Sequence, residues 1–347
     1  MKKHAIIPVF IPHRGCPHDC VFCNQKAITA RQPDVSPEDV RNLIDSYLPT
    51  LTGRGLETIE VAFFGGSFTG IPMEEQSAFL QVASEYKSKG LIDKIHMSTR
   101  PDYIDEKILD NLKKYDADVI ELGVQSFDDN VLAAAGRGHT AADVYKACDL
   151  IREYGFELGI QLMIGLPEDS LETCIYSARE TVRIAPEIAR LYPTIVLNDT
   201  RLYEMYRSGL YHALTTEEAV SVTKEMYRII SEAGINIIRV GLKSTDLISG
   251  SGTGDDQTAG RTYHPAFRQL VEGEIAREDM LMLLEERGIT KGNACFCSNG
   301  VSFSNMVGNS NCNRQYFRDR YPDIRFRFGV DNSLDNMKFT LTCEESQ

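Results

Sequence analysis

Apolar, β-branched runs alternate with amphipathic runs from the start of the chain to about Gly241, and this alternation constrains the fold more than any other feature. The strand-like runs are "AIIPVFI" (5–11), "TIEVAFF" (58–64), "KIHMS" (94–98), "VIELGVQ" (119–125), "ELGIQLMI" (157–164), "ARLYPTIVL" (189–197) and "INIIRVG" (235–241). Between them, amphipathic spacing predicts helices over Pro37–Tyr47, Glu74–Ser88, Asp105–Lys114, Ala141–Glu153, Leu171–Ile184 and Thr216–Ala233. Strands separated by single helices build right-handed βαβ units around a parallel sheet. Six or seven such units suit a partial barrel better than a short open sheet. The expected fold is therefore α/β, a partial (β/α)6 TIM-type barrel with a small C-terminal α+β extension. In that architecture the strand C-termini carry the chemistry, and the conspicuous residues of this chain fall there.

The expected organisation is a core domain over residues 1–248, a Gly-, Ser- and Asp-rich loop or linker "SGSGTGDDQTAGRT" (249–262), and a small C-terminal module over 263–347. That module should open with two helices, near Pro265–Glu274 and Arg277–Arg287. A net charge of −13 offers no general attraction to nucleic acid. No apolar run reaches the roughly 18 residues needed to cross a bilayer, and Pro8, Pro12, His13 and Arg14 interrupt the first one, so no signal peptide and no membrane partner are expected. Nine cysteines, odd in number and locally clustered, fit a reducing cytoplasm better than a disulfide framework.

The first strand leads into "IPHRGCPHDCVFCNQ" (11–25), where Cys16, Cys20 and Cys23 have C-x3-C-x2-C spacing. A structural zinc closes a four-ligand shell, and its nearest fourth ligands here would be His13 or His18. Three thiolates also suit a [4Fe–4S] cube, each taking one iron and leaving the fourth iron open to an outside ligand. An electron-transfer protein usually closes that position, whereas a catalyst needs it. At the end of the second strand stands "FFGGSFTG" (63–70), where Gly65 and Gly66 allow a tight turn and a close backbone approach.

With these motifs the chain resembles the radical S-adenosylmethionine (SAM) superfamily, whose defining motif is C-x3-C-x2-C. "STRPDYI" (98–104), "ELGVQSFDDNVLAAAGRGHT" (121–140) and "YPTIVLNDTRLYEMYRSG" (192–209) look like the branch of the Elongator catalytic subunit (Elp3), and more distantly the oxygen-independent coproporphyrinogen oxidases. The resemblance covers roughly residues 5–245 and implies two cofactors, a [4Fe–4S] cluster and SAM. It implies metal ligands at Cys16, Cys20 and Cys23. SAM contacts would come from Phe22, from the Gly65–Gly66–Ser67 turn at the methionine amino group, from Ser98, from Gln125 and Arg137 beside the ribose and carboxylate, and from Gln161 near the ribose hydroxyls. A guanidinium suits a carboxylate by bidentate hydrogen bonding. The family often has Glu at the position of Ser98 and a charged side chain at that of Gln161, so these two positions depart from its pattern.

About 100 residues follow the expected barrel, too few for the acetyltransferase domain of the Elongator subunit. Cys295, Cys297, Cys312 and Cys343 would suffice for an auxiliary cluster or a zinc site, or are dispersed thiols. "NRQYFRDRYPDIRFRF" (313–328) interleaves Arg314, Arg318, Arg320, Arg325 and Arg327 with aromatics. That pattern suits RNA contact and equally an amphipathic helix followed by an alternating strand. His4, His96, His212 and His264 show no partners in the sequence, and His139 is expected to order its loop.

The resemblance implies one-electron reductive cleavage of SAM to a 5′-deoxyadenosyl radical that abstracts hydrogen from a substrate. An external flavodoxin- or ferredoxin-like donor would supply the electron. The substrate expected from the Elongator likeness is a tRNA or other RNA base. The alternatives are a small molecule such as a tetrapyrrole, or a non-catalytic iron–sulfur or zinc protein. The turn at Gly65–Gly66 speaks against the last, since neither electron transfer nor partner binding needs a SAM platform.

Overall fold

The computed structural model describes residues 4–11, 16, 20–23, 35–242 and 258–344. In chain order the first part contains β1 (His4–Ile11), α1 (Pro37–Leu51), β2 (Thr58–Gly65), α2 (Met73–Ser88), β3 (Lys94–Thr99), α3 (Glu106–Lys114) and β4 (Val119–Gln125). It continues through α4 (Asp129–Ala134), α5 (Ala141–Glu153), β5 (Glu157–Ile164), α6 (Leu171–Ile184), β6 (Ile188–Pro193), β7 (Val196–Leu197), α7 (Arg201–Arg207), α8 (Thr216–Glu232) and β8 (Asn236–Val240). Strands β1, β2, β3, β4, β5, β6 and β8 lie side by side in that order, all parallel. The sheet is the curled half-barrel expected, with a seventh strand beyond six units.

The two faces of the sheet differ in chemistry. Val61, Phe63, Ile95, Met97, Ile120, Leu122, Leu158, Ile160 and Leu162 are fully buried in one core with Val40, Ile44, Leu80, Leu109, Ile151 and Ile230 of the helices. Each such side chain contributes about 1.5–3 kcal/mol. The alternate positions, Glu60, His96, Ser98, Glu121, Gly159, Gln161 and Arg190, form the concave inner face. Helix starts are fixed locally by capping boxes at Ser36–Asp39, Thr140–Asp143 and Thr215–Glu218.

Two expected elements come out differently. The run 189–197 is broken: β6 stops at Pro193, which has no N–H to continue the ladder. The short β7 beyond it pairs antiparallel with β9 (Thr258–Ala259). The two helices near Pro265–Glu274 and Arg277–Arg287 are one helix, α9 (Phe267–Glu286), because nothing between Glu274 and Arg277 breaks it and these two side chains pair across one turn. Phe267, Val271 and Ile275 of α9 pack in the barrel core. Met280 and Leu284 pack in a second core with Phe296, Phe317 and Leu341. Thus a continuous helix crosses residue 276 from one core to the other. Most of the expected linker, 249–257, lies outside the described residues.

The second core belongs to β10 (Gly292–Ser298), α10 (Phe303–Val307), α11 (Cys312–Arg320), β11 (Ile324–Val330) and β12 (Phe339–Glu344), with β10 central in a three-stranded sheet. Among the described residues no helix is long and apolar enough to cross a membrane.

Candidate active site

The C-terminal ends of the barrel strands gather most of the residues singled out from the sequence. β1 ends at Ile11, and the cysteine loop follows it. Of that loop, Cys16 and the segment Cys20–Cys23 are described; His13 and His18, the zinc alternatives, lie outside the described residues. Cys20 is buried, while Cys16 and Cys23 are half-buried. Three backbone hydrogen bonds hold the segment. Val21 N–H donates to Ala135 O (3.0 Å), Leu202 N–H to Val21 O (2.7 Å), and Cys23 N–H to Cys20 O (3.0 Å). Val21 packs with Val196, Leu202 and Tyr211, and Phe22 reaches both this cluster and the one formed by Val131, Ala135 and Leu166.

Two arginines converge on Cys20. Arg137 Nη1 lies 3.2 Å from its sulfur and Arg100 Nη1 lies 4.0 Å away. Both guanidinium groups are buried. Arg137 Nη2 also donates to Gly123 O, and Arg100 Nη2 to the carbonyl of Arg137. Burial pushes the Arg137 guanidinium below its ordinary range, opposed by the adjoining Cys20 thiol. For Arg100, burial pulls in the same direction but is outweighed by Asp102 and by the thiols of Cys16 and Cys20, so its pKa is raised. Arg137 Nε is buried and has no hydrogen-bond partner among the described residues.

Gly65 closes the other side. Its φ is +119°, and a Cβ there would sit 2.2 Å from the Ile11 carbonyl oxygen, so only glycine lets β2 end against β1. Gly66 N–H donates to that same carbonyl at 3.3 Å, and Ser67 is buried behind the turn. Gln125 ends β4 with φ +73°; a non-glycine residue there carries about 1–3 kcal/mol of strain. Its Oε1 accepts from Gln161 Nε2 at 3.3 Å, bringing those two expected SAM-ribose residues together. Ser98 donates to Glu121 Oε1 at 3.0 Å and is thereby engaged on the inner face.

The inner face also holds groups that the sequence did not single out. His4 Nε2 and His96 Nδ1 lie 3.0 and 2.9 Å from the two Glu60 oxygens, so both histidines have a partner after all. Burial alone would raise the Glu60 pKa, but the hydrogen bonds and charge of His4 and His96 override it and bring it to about 2. Next along the face, Glu121 Oε2 lies 2.6 Å from Arg190 Nε. Arg190 donates to Tyr192 Oη at 3.2 Å and rests over the Phe64 ring, 4.9 Å away. Residues 36 apart, such as Glu60 and His96, meet only because their strands are neighbours, which no local pattern announces. Arg100 carried a weak signal: a proline after it restricts its backbone and a carboxylate stands two residues on.

His139 Nε2 lies 3.3 Å from Val124 O. Burial, reinforced by the charges of Arg137 and Arg100, lowers its pKa to about 3, so it is neutral at pH 7. A cavity of about 300 Å3 bordered by His4, Glu60, Lys94, Glu157 and Glu187 opens at the strand N-termini, the end away from the cysteines. The tail cysteines are not gathered into one site. Cys295 and Cys297 face the same side of β10 with sulfurs 3.8 Å apart. Cys343 stands opposite Ala294, out of phase with that pair, and Cys312 begins α11.

A curled parallel sheet with a three-cysteine loop over its C-terminal mouth is the organisation of a radical SAM enzyme. The Radical SAM superfamily model matches residues 10–180 and the Radical_SAM C-terminal domain model residues 186–277. The chain belongs to this superfamily, whose enzymes use a [4Fe–4S] cluster and SAM.

Within it, the relatives are of the Elongator type. The chain is 30% identical over 257 residues to a tRNA uridine(34) acetyltransferase of Methanocaldococcus infernus, covering 63% of this chain and 48% of that protein. It is 27% identical over 271 residues to Elongator complex protein 3 of Homo sapiens, covering 65% of this chain and 49% of that one. It thus spans about half the length of the curated relatives it matches. In fold it is similar to the archaeal Methanocaldococcus infernus Elp3 with N-terminus deletion, at a TM-score of 0.61 and 22% identity over 83% of this chain and 64% of that one.

The residues present fit the two cofactors. Cys16, Cys20 and Cys23 offer soft thiolate donors suited to iron–sulfur binding. Among the described residues no three acidic, histidine or cysteine side chains converge on a single point, and a cube does not ask them to, since each thiolate takes its own iron. Arg137 Nε, unpartnered among the described residues, belongs to the guanidinium that contacts Cys20 and is a donor suited to a carboxylate.

Proposed function

We propose that this radical SAM enzyme acts on a nucleobase of tRNA, and that Cys16, Cys20 and Cys23 hold the cluster while Phe22, Gly65, Gly66, Ser67, Ser98, Gln125, Arg137 and Gln161 surround SAM. When bound, the cluster and SAM supply one-electron reductive cleavage and a hydrogen-abstracting 5′-deoxyadenosyl radical. An external flavodoxin- or ferredoxin-like donor delivers the electron.

The chain's own groups divide the work. The cysteine loop, tied to Ala135 and Leu202 through Val21, fixes the thiolates before they are loaded. Arg137 neutralises charge at Cys20 and offers its Nε–H, unpartnered among the described residues, to a carboxylate. The Gln125–Gln161 pair presents amide donors and acceptors for hydroxyl groups. Apolar packing around Val21 and Phe22 keeps water from one side of the loop.

The observation that carries the substrate assignment is the polar floor of the half-barrel. Glu121, Ser98, Arg190 and Gln161 line it with donors and acceptors. Such a floor suits the hydrogen-bonding edge of a base. Likeness to a tRNA uridine(34) acetyltransferase supports the same choice. The test is anaerobic turnover with tRNA carrying deuterated nucleobases. The proposal expects deuterium in the 5′-deoxyadenosine formed; turnover with none transferred from tRNA overturns it.

A further inference from the structure

We propose that Arg100, fixed by Asp102, is a charge-positioning residue for the iron held by Cys20, and that the balance of these two charges sets the reduction potential of the cluster. The proposal rests on the cysteines being cluster ligands.

Arg100 is placed by local structure. Pro101 follows it and favours an extended backbone, observed as φ −92° and ψ 150°, at the C-terminal end of β3. Asp102 then returns its carboxylate to the same guanidinium, with Oδ1 2.9 Å from Nε and Oδ2 3.0 Å from Nη2. This two-point fork fixes the plane of the group, and the Tyr103 ring stands 6.0 Å from its Cζ. The remaining nitrogen, Nη1, is left directed at the Cys20 sulfur, 4.0 Å away. Nη2 donates as well to the Arg137 carbonyl, so Arg100 also braces the backbone that presents Arg137 to the same sulfur.

Reduction adds one negative charge to the cluster. A buried cation beside a ligating sulfur stabilises the reduced form and raises the potential; an anion lowers it. Burial makes the effect larger than it would be in water. Arg100 is 4% exposed. Asp102 offsets part of its charge from the side away from the sulfur. Removing either partner should therefore move the potential in opposite directions, a signature that bracing of the loop alone would not produce.

The experiment is an EPR-monitored redox titration of the anaerobically reconstituted protein without SAM. It compares wild type with Arg100→Met and Asp102→Asn, after iron content and the reduced-cluster spectrum have been matched. Arg100→Met should shift the midpoint negative by about 59 mV or more, a tenfold loss of reduced cluster at a fixed potential. Asp102→Asn should shift it positive. Midpoints equal to wild type, or shifts of the same sign in both variants, overturn the proposal. If Arg100→Met does not retain iron, Asp102→Asn decides alone: a positive shift supports the proposal and an unchanged or negative one overturns it. A wild-type protein that assembles no cluster would instead contradict the assignment of the cysteines.

Discussion

Glu121 crosses over Gly159 to meet Arg190, with Oε2 and Nε 2.6 Å apart. The three residues belong to adjacent strands β4, β5 and β6, and a Cβ on Gly159 would come within 3.1 Å of the Glu121 stem. A glycine on the middle strand thus lets two outer strands share an ion pair inside the barrel.

Breaking that pair from one side should be costly. Glu121→Leu leaves the buried Arg190 uncompensated and should destabilise the fold by about 3–5 kcal/mol. Glu121→Leu with Arg190→Met should recover part of the loss. Urea unfolding of the four proteins in the cycle measures it, and equal destabilisation of single and double variants would contradict the pairing.

Glu60 gives the protein an acid-sensitive component. Its folded pKa, about 2, is depressed below the ordinary 4.5, so its contribution is fully present above pH 4.5 and is lost as pH falls towards 2. Because Glu60 also raises the pKa of His4, the stability difference between wild type and Glu60→Gln should fall as pH rises through the His4 titration and shrink again below pH 4.5. A difference that grows as pH falls below 4.5 would contradict the His4–Glu60–His96 assignment.

The two glycines of the turn should separate. Gly65→Ala forces a Cβ against the Ile11 carbonyl at a positive φ, so it should lower stability and iron loading together. Gly66→Val should keep about four irons and weaken SAM binding measured by equilibrium dialysis. Unchanged SAM affinity in a folded Gly66→Val protein would leave the turn with a purely structural role.

The arginine-rich tail needs sorting before it is tested for RNA contact. Arg314 is exposed but lies over the Phe303 and Phe328 rings, 5.7 and 5.1 Å away, so replacing it would also disturb the C-terminal module. Arg318, Arg320 and Arg325 are exposed, and Arg318 pairs with its exposed neighbour Asp319. If this face contacts tRNA, changing Arg318, Arg320 and Arg325 to Gln should weaken binding in low salt and flatten its salt dependence by roughly 0.7–0.9 log units for each lost contact. A salt slope equal to that of wild type would remove the tail from the interface.

The sequence revealed what repeats locally. Strands 119–125 and 157–164 and helix 171–184 were legible to the residue, because alternation, periodicity and a Ser170 cap mark them. The cysteine loop and the glycine turn were legible as motifs. The charged inner face was not, because Glu60, His96, Glu121 and Arg190 find one another only through strand order and register. Nor was the contact of Arg137 with Cys20, made by a buried side chain 117 residues along the chain. The unity of α9 was missed because hydropathy shifts from the barrel core to the second core midway along a helix that has no breaker.

The most direct measurement is anaerobic incubation of the reconstituted protein with SAM and dithionite, followed for 5′-deoxyadenosine and methionine, in wild type and in Cys16→Ala, Cys20→Ala and Cys23→Ala. The account predicts both products from the wild type, with about four irons per chain, and neither product nor cluster absorption from any of the three variants. Cleavage that survives in Cys20→Ala, or a fully loaded wild-type protein that leaves SAM intact, would contradict it.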